Sequence, residues 1–310
     1  MWCATNGGRG HMEQKDRVDA LGASLLVTVS LLLGLNQVLV KIVATGMHPA
    51  LQAGLRSAFA VLPVLILALL FKRKLTIRDG SLGWGIFAGV LFAVEFLMLF
   101  LAIDYSSVAR VSVLFYTMPV WMTLGAHFLI PAERLTRNKI TGLILAVGGV
   151  VVAMWGRDGG QNELLGDIYC IAGAMLWAAV GLVARVTPMK RAVPEMQLLY
   201  QLVVSAIVLI PAAYLIGDQI RDLQPIHWGI LLFQAIVVVG FGFSTWFWVL
   251  SKYPASEMAS FGFLAPLFGV LLGWLMLGED ITIWIIGALV LVSAGIVLIN
   301  HKPSAKALPR

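Results

Sequence analysis

Chemistry in this chain is to be sought where an ionisable or amide side chain interrupts an apolar run. Glu95 is the most central, within residues 83–103. A charge at the middle of a bilayer costs about 2.5–3.5 kcal/mol on insertion scales, so its presence needs a reason. Two readings stand side by side: a cavity carboxylate that binds a cationic group or a proton, or a carboxylate paired with a neighbouring helix or a backbone donor. Asn36 is uncharged and sits inside an otherwise apolar run, where an amide hydrogen-bonds to another helix or to a substrate; Gln201 and Gln234 are weaker cases. Tyr116, Trp177, Trp246 and Trp248 fall inside apolar runs, where their rings either wall a binding site by stacking and cation–π contact or fill the core. The expected substrate-contacting set is Asn36, Glu95, Tyr116, Trp177 and Trp246, with Glu95 the candidate for coupling to protons.

Other polar positions have plainer uses. Asp104 and Glu257 lie near the ends of runs, where water is close. Lys41 lies near the end of the first run, from which its ammonium can snorkel to the interface. Arg56 and Arg110, early in their runs, attract an anion or anchor a helix. Pro119 and Pro266 interrupt helical hydrogen bonding at equivalent places and are expected to be paired hinges. Gly85 with Gly89, and Gly269 with Gly273, are spaced to let helices approach closely. Glu133 and Glu279 begin turns into helices, where free N–H groups and the dipole favour a carboxylate. Several chemistries lack their residues. There is no G-x-x-x-x-G-K-[ST] and no H-E-x-x-H; the five histidines are scattered; Cys3 and Cys170 make neither a disulfide framework nor a metal site. No catalytic residue, metal or cofactor is expected.

The elements that must position these groups are membrane helices. The chain has 310 residues, of which 60% are hydrophobic and 12% charged, against about 45–50% and 25% in soluble domains. At about 20 apolar residues per crossing, ten windows qualify: 21–43, 51–71, 83–103, 107–129, 139–155, 165–186, 195–214, 227–250, 256–277 and 281–300. The first twenty residues carry Glu13, Asp16 and Asp19 and no apolar core, unlike a cleavable signal peptide. With the N-terminus inside, 17 of the 22 Lys and Arg residues fall on the inner side and only Arg157 and Arg221 in outer loops. That asymmetry predicts both termini inside. The net charge of +6 follows from the same flanking residues and does not call for nucleic acid.

The chain also repeats itself. Trp84 recurs as Trp228, Tyr105 as Tyr253, Pro119 as Pro266, Glu133 as Glu279 and Gly142 as Gly287, at offsets of 144 to 148 residues, and Lys41 aligns with Arg185. Each half holds five windows, so the second enters the membrane from the opposite side. Such inverted repeats are built around a central site in secondary transporters. The expected organisation is an inner tail over 1–20, a first repeat over 21–156, a second over 157–302 and an inner tail over 303–310: an all-α membrane protein of ten helices.

Gly34-Leu35-Asn36-Gln37 with Lys41, then Pro49, Arg56, the segment from Ala102 to Ala109, and Pro119 followed by Glu133-Arg134-Leu135 resemble the EamA family of the drug/metabolite transporter superfamily. The second copy adds Gly166-Asp167, Trp177-Ala178, Arg185 and Pro266 followed by Leu277-Gly278-Glu279; Pro131-Ala132 departs from the family's usual glycine before the glutamate. The resemblance implies a basket of ten helices, with the first, third, fourth, sixth, eighth and ninth around a central cavity and Lys41 at its mouth. It implies transport of small metabolites, chiefly efflux of amino acids or their relatives, in the plasma membrane (the inner membrane of a bacterium). An importer of a vitamin-like or nucleotide-like molecule on the same scaffold is the alternative; a membrane enzyme or sensor lacks its dyad or output domain. Expected partners are the substrate, the lipid bilayer and protons, with the chain a monomer or homodimer.

Overall fold

A computed structural model describes residues 18–156, 161–216, 219–253 and 261–300. Every element named in it is helical, apart from an isolated bridge between Met47 and Ile220. The helices are α1 (Ala20–Ala44), α2 (Pro49–Leu70), α3 (Leu82–Tyr105), α4 (Val108–Phe115), α5 (Met118–Leu129), α6 (Arg137–Trp155), α7 (Gln161–Val186), α8 (Pro194–Ile216), α9 (Pro225–Phe233), α10 (Gly242–Lys252), α11 (Leu264–Leu277) and α12 (Ile283–Asn300). Hydrocarbon offers the backbone no hydrogen bonds, and helices satisfy theirs internally.

Starts and stops follow local chemistry. Pro49, Pro194 and Pro225 open α2, α8 and α9, where the missing N–H costs nothing. The Asp19, Ser107 and Thr136 side chains accept backbone N–H bonds at the starts of α1, α4 and α6. Gly278 closes α11 at φ 66°, a left-handed conformation that suits glycine.

Among the described residues, eight helical stretches have the length and composition to cross a membrane, and Pro225–Phe241 and Leu264–Leu277 are shorter apolar stretches. Two expected windows differ from simple helices. The fourth bends between α4 and α5, where Pro119 has no N–H to give Phe115 and Thr117 N–H turns back to Leu114. The eighth passes from α9 through a π-helical stretch, Gln234–Phe241, into α10. The ninth is described from Phe261 onward.

The helix pairing is self-consistent under exchange of the two halves. Let α1, α2, α3, α4–α5 and α6 exchange with α7, α8, α9–α10, α11 and α12. Then α2 on α8, α6 on α12 and α4 on α11 map onto themselves. The pair α1 on α11 maps onto α5 on α7, and α3 on α8 onto α2 against the π-helical stretch. Equivalent residues meet where equivalent helices do: the hydroxyls of Ser57 in α2 and Ser205 in α8, 148 residues apart, are 3.1 Å from each other. The same offset relates Pro63 and Pro211 inside those two helices.

Close packing depends on small residues. A Cβ on Gly89 of α3 would lie 2.5 Å from the Val204 side chain and 2.9 Å from the Tyr200 carbonyl oxygen of α8. One on Gly34 of α1 would lie 2.8 Å from the Gly269 nitrogen of α11. The largest apolar core gathers α3, α4 and parts of α1, α7 and α12 around Phe100, Ile103 and Leu114.

Candidate substrate site

The site is built from the facing sides of α2 and α3. Gln52 and Arg56 are one turn apart on α2, and both are buried, Arg56 at 3% exposure. On α3, Glu95 is 1% exposed and is followed by Phe96 and Phe100. The Arg56 guanidinium lies over both rings, 4.2 Å from the Phe96 centroid and 5.2 Å from that of Phe100, a cation–π arrangement that desolvation strengthens. Both carboxylate oxygens of Glu95 and Nε of Arg56 are buried without a hydrogen-bond partner. Two opposite charges thus share an aromatic-walled interior without satisfying each other. Chemically, the pair can receive an anionic group at the guanidinium, a cationic group at the carboxylate, or a proton on Glu95.

A set of amides is buried among the neighbouring helices. Gln234, in the π-helical stretch, donates through Nε2 to Asn36 Oδ1 at 3.1 Å. The Ser112 hydroxyl of α4 donates to Gln37 Oε1 at 2.5 Å. Gln52 Nε2 donates to the Val40 carbonyl at 3.2 Å. The Oε1 atoms of Gln52 and Gln234 remain buried and unpartnered. π-Helical turns concentrate at functional sites because they re-aim side chains, and this one turns Gln234 to α1.

The structure separates the expected residues. Glu95 faces Arg56, and Asn36 faces Gln234. Tyr116 and Pro119 line a different cavity of about 140 Å³ with Leu26, Ser30, Phe261 and Asn300. Trp177 is on α7 and 40% exposed, one turn beyond Gly173, which rests against the Glu95 backbone. The side chain of Trp246 and all of Glu257 lie outside the described residues, whereas Pro266, the expected hinge partner of Pro119, is buried in α11. Arg56 as the companion of Glu95 and the π-helical stretch were not foreseen. The first had a signal in the Gln52–Arg56 spacing inside an apolar run; the second had only Gly240-Phe241-Gly242.

The remaining charges close the ends of the bundle. Lys41 does not snorkel: its Nζ donates to the carbonyls of Ile103, Asp104 and Ser106 at 2.6–3.0 Å, capping α3. Glu279 accepts from Val108 and Ala109 N–H at 2.7 and 2.9 Å, so it serves the N-terminus of α4 and not that of the helix it precedes. Arg110 donates to the Ala153 and Gly156 carbonyls at 2.5 and 3.0 Å. Arg221 holds Asp104 through two bonds of 2.8 Å, which raise its pKa further. At the other end Glu133 is bound by Arg185, so the repeat-related pairs Lys41 with Glu279 and Arg185 with Glu133 occupy opposite ends. Among the described residues no three His, Cys, Asp or Glu side chains gather to hold a metal.

Apolar helices enclosing buried polar side chains define a helical integral membrane protein with a polar interior. The model of the EamA-like transporter family matches residues 20–155 and again 164–301, and the chain belongs to that family. It is 26% identical over 277 residues to the Uncharacterized transporter YoaV of Bacillus subtilis, covering 87% of this chain and 94% of the relative. It is 27% identical to a probable amino-acid metabolite efflux pump of Salmonella typhimurium (90% of this chain, 94% of the relative). To one of the same description in Escherichia coli it is 29% identical (87% and 90%). A crystal structure 19% identical in sequence shares the fold at a TM-score of 0.64, over 91% of this chain and 98% of that one.

Proposed function

We propose that the protein is a secondary transporter that exports amino acids or related small metabolites across the plasma membrane by alternating access. In this reading ten spans form two inverted five-helix repeats, residues 21–156 and 157–302, with both termini inside. The exchange-consistent helix pairing, the Ser57–Ser205 contact and the twofold family match support the repeat. The descriptions of the Salmonella and Escherichia relatives support the direction and the class of cargo. The single observation that carries the reading is the buried Arg56 and Glu95, where both carboxylate oxygens of Glu95 and Nε of Arg56 have no hydrogen-bond partner in the protein. Leaving a buried polar or charged group unsatisfied costs several kcal/mol, which is reasonable where a ligand supplies the missing partners in turn. The same carboxylate, alternately protonated and free, gives a route for proton coupling.

The test is uptake into proteoliposomes holding the purified full chain, offered a pool of amino acids and other metabolites with and without a pH gradient. Movement of one compound faster than in empty vesicles, stimulated by the gradient and insensitive to it in Glu95→Gln, is the expected result. A Glu95→Gln rate equal to wild type under every gradient removes Glu95 from the mechanism, and a pool that never moves removes the transport reading itself.

A further inference from the structure

Far from the buried charges, a second feature joins an apolar groove to free positive charge. The C-terminal half of α2, the N-terminal half of α3 and the N-terminal half of α8 enclose an open groove of about 870 Å³ on the outside of the bundle, walled by Val61, Leu65, Ile86, Val90, Val203 and Ile207. All three helices end at one end of the bundle, and the turn joining α2 to α3 passes over the groove's mouth, contributing Leu75, Thr76 and Ile77 to its wall. That turn carries Lys72, Arg73, Lys74 and Arg78. Arg73 is held by Glu195 at 2.9 Å. Asp79, the one acid in the turn, is turned inward: its Oδ1 accepts from Ser81 N–H at 2.9 Å, its Oδ2 is buried, and its carbonyl accepts from Arg191. Lys72, Lys74 and Arg78 are exposed, and among the described residues no carboxylate is within ion-pair distance of them.

The dimensions fit a lipid chain. On α8 the wall runs from Met196 to Val208, about 18 Å at 1.5 Å per residue, close to one leaflet of a hydrocarbon core about 30 Å thick. A groove merely facing lipid is generic; one leaflet long and topped by three uncommitted cations, it selects by charge. Basic pockets between membrane helices hold anionic head groups in this way, aided by the negative surface of the cytoplasmic leaflet.

We infer that this groove is a binding site for one anionic phospholipid, with an acyl chain between α2, α3 and α8 and its phosphate at Lys72, Lys74 and Arg78. The site straddles the joint between α2 and α8, so its occupant touches both halves of the chain. The inference rests on the membrane setting and not on transport, and its test reads binding alone.

Native mass spectrometry of the purified full chain, offered equal amounts of phosphatidylglycerol and phosphatidylcholine with matched chains, counts what is retained. Phosphatidylglycerol is expected to be retained preferentially. Its preference falls roughly fivefold for each charge removed, as expected for about 1 kcal/mol per basic residue near the membrane surface, and vanishes in Lys72→Ala/Lys74→Ala/Arg78→Ala. Filling the groove with Val203→Trp/Ile207→Trp removes retention while leaving the three cations in place. Unchanged retention in the filled variant overturns the site, because charge alone then suffices. Unchanged preference in the triple variant overturns the head-group assignment. Displacement of the lipid by inorganic phosphate at equal concentration overturns it in favour of a free anion. Should the filled variant fail to fold, the single substitution Ile86→Trp, which places a reporter on the groove's own wall, answers the same question by fluorescence. Its emission is read as the difference from the wild type. Its quenching by chain-brominated phosphatidylglycerol must exceed that by brominated phosphatidylcholine, and equal quenching overturns the inference.

Discussion

Arg56 and Glu95 have no equivalents in the second half. The offset that relates Ser57 to Ser205 places Val204 opposite Arg56, and residues 239–243, opposite Glu95, carry no acid. The duplicated frame therefore holds an unduplicated charge pair, which suits a ligand site better than a packing requirement common to both halves. It also separates stability from function. The two charges attract across the interior without an ion pair between them, so removing one leaves the other less compensated. The loss is smaller than the roughly 3–5 kcal/mol of a broken buried ion pair, whereas replacing both by apolar side chains of similar volume is neutral or better. Arg56→Met is thus expected to melt below wild type in detergent, and Arg56→Met/Glu95→Met close to it, with transport absent in both. If the double variant melts as low as the single one, the two charges do not compensate each other. A milder effect comes from His48. Its Nδ1 accepts the Ala50 N–H at the start of α2, an arrangement open only to an unprotonated nitrogen. Burial, and then the nearby Arg221, lower its pKa below the usual value. Since the folded pKa lies below the unfolded value of about 6.5, the associated stability is present above that pH and lost as pH falls through the folded pKa. Melting temperature measured from pH 8 down to pH 5 should decline more for wild type than for His48→Asn, which caps without titrating; parallel curves would dismiss the histidine.

At the scale of helices, glycine sets how far the elements can approach. Gly85 and Gly89 had been spaced to let α3 meet another helix, and the structure supplies that helix as α8. A Cβ at position 89 meets both the Val204 side chain and the Tyr200 backbone, so Gly89→Ala overpacks a joint that cannot easily give, at a cost of about 1–3 kcal/mol. Adding Val204→Ala removes only the Cγ2 contact at 2.9 Å and keeps the Cβ contact at 2.5 Å and the backbone one, so it should recover little of the lost melting temperature; full recovery would place the strain at Cγ2 alone. The same comparison shows where sequence reasoning reached and where it stopped. Apolar windows found α1, α2, α3, α6, α7, α8 and α12 nearly to their ends, because in lipid the hydrophobic run is itself the element. They could not show the bend between α4 and α5 as more than a proline, nor the π-helical stretch, since apolar composition does not distinguish an i→i+5 turn from an i→i+4 one. Lys41 near the end of a run looked free to snorkel, yet its ammonium caps α3 from 62 residues away or more. Glu95 was visible as an oddity; Arg56 as its neighbour was not, because nothing in a linear sequence states which faces of α2 and α3 meet.

For the whole molecule, the ends of the bundle differ in charge as well as in contacts. One end gathers Lys72, Arg73, Lys74, Arg78, Lys190 and Arg191 around the turns after α2 and before α8. The other is joined by main-chain bonds between the α1–α2 turn and the segment before α9, His48 N–H to Gln219 and Arg221 N–H to Gly46 at 2.8 and 3.0 Å, and by the clamps of Arg221, Lys41 and Glu279. The basic end should face the cytoplasm, because Lys and Arg near short loops resist translocation. Two single-cysteine variants in a Cys3→Ser/Cys170→Ala background decide it. Asp222→Cys at the clamped end should react with a membrane-impermeant maleimide in intact cells, and Lys74→Cys only after the cells are opened. The reverse pattern would turn the protein over, placing both chain termini outside and the three free cations of the groove on the leaflet that lacks the anionic surface they are suited to meet. Labelling of both in intact cells would mean that the two ends are not separated by the membrane, and the count of spans between residues 74 and 222 would have to change from odd to even before any transport cycle could be written. The expected pattern instead places the clamped end outside. Loosening it by Asp104→Asn, which weakens the paired bonds to Arg221, should then raise the labelling rate of Asp222→Cys and leave that of Lys74→Cys unchanged.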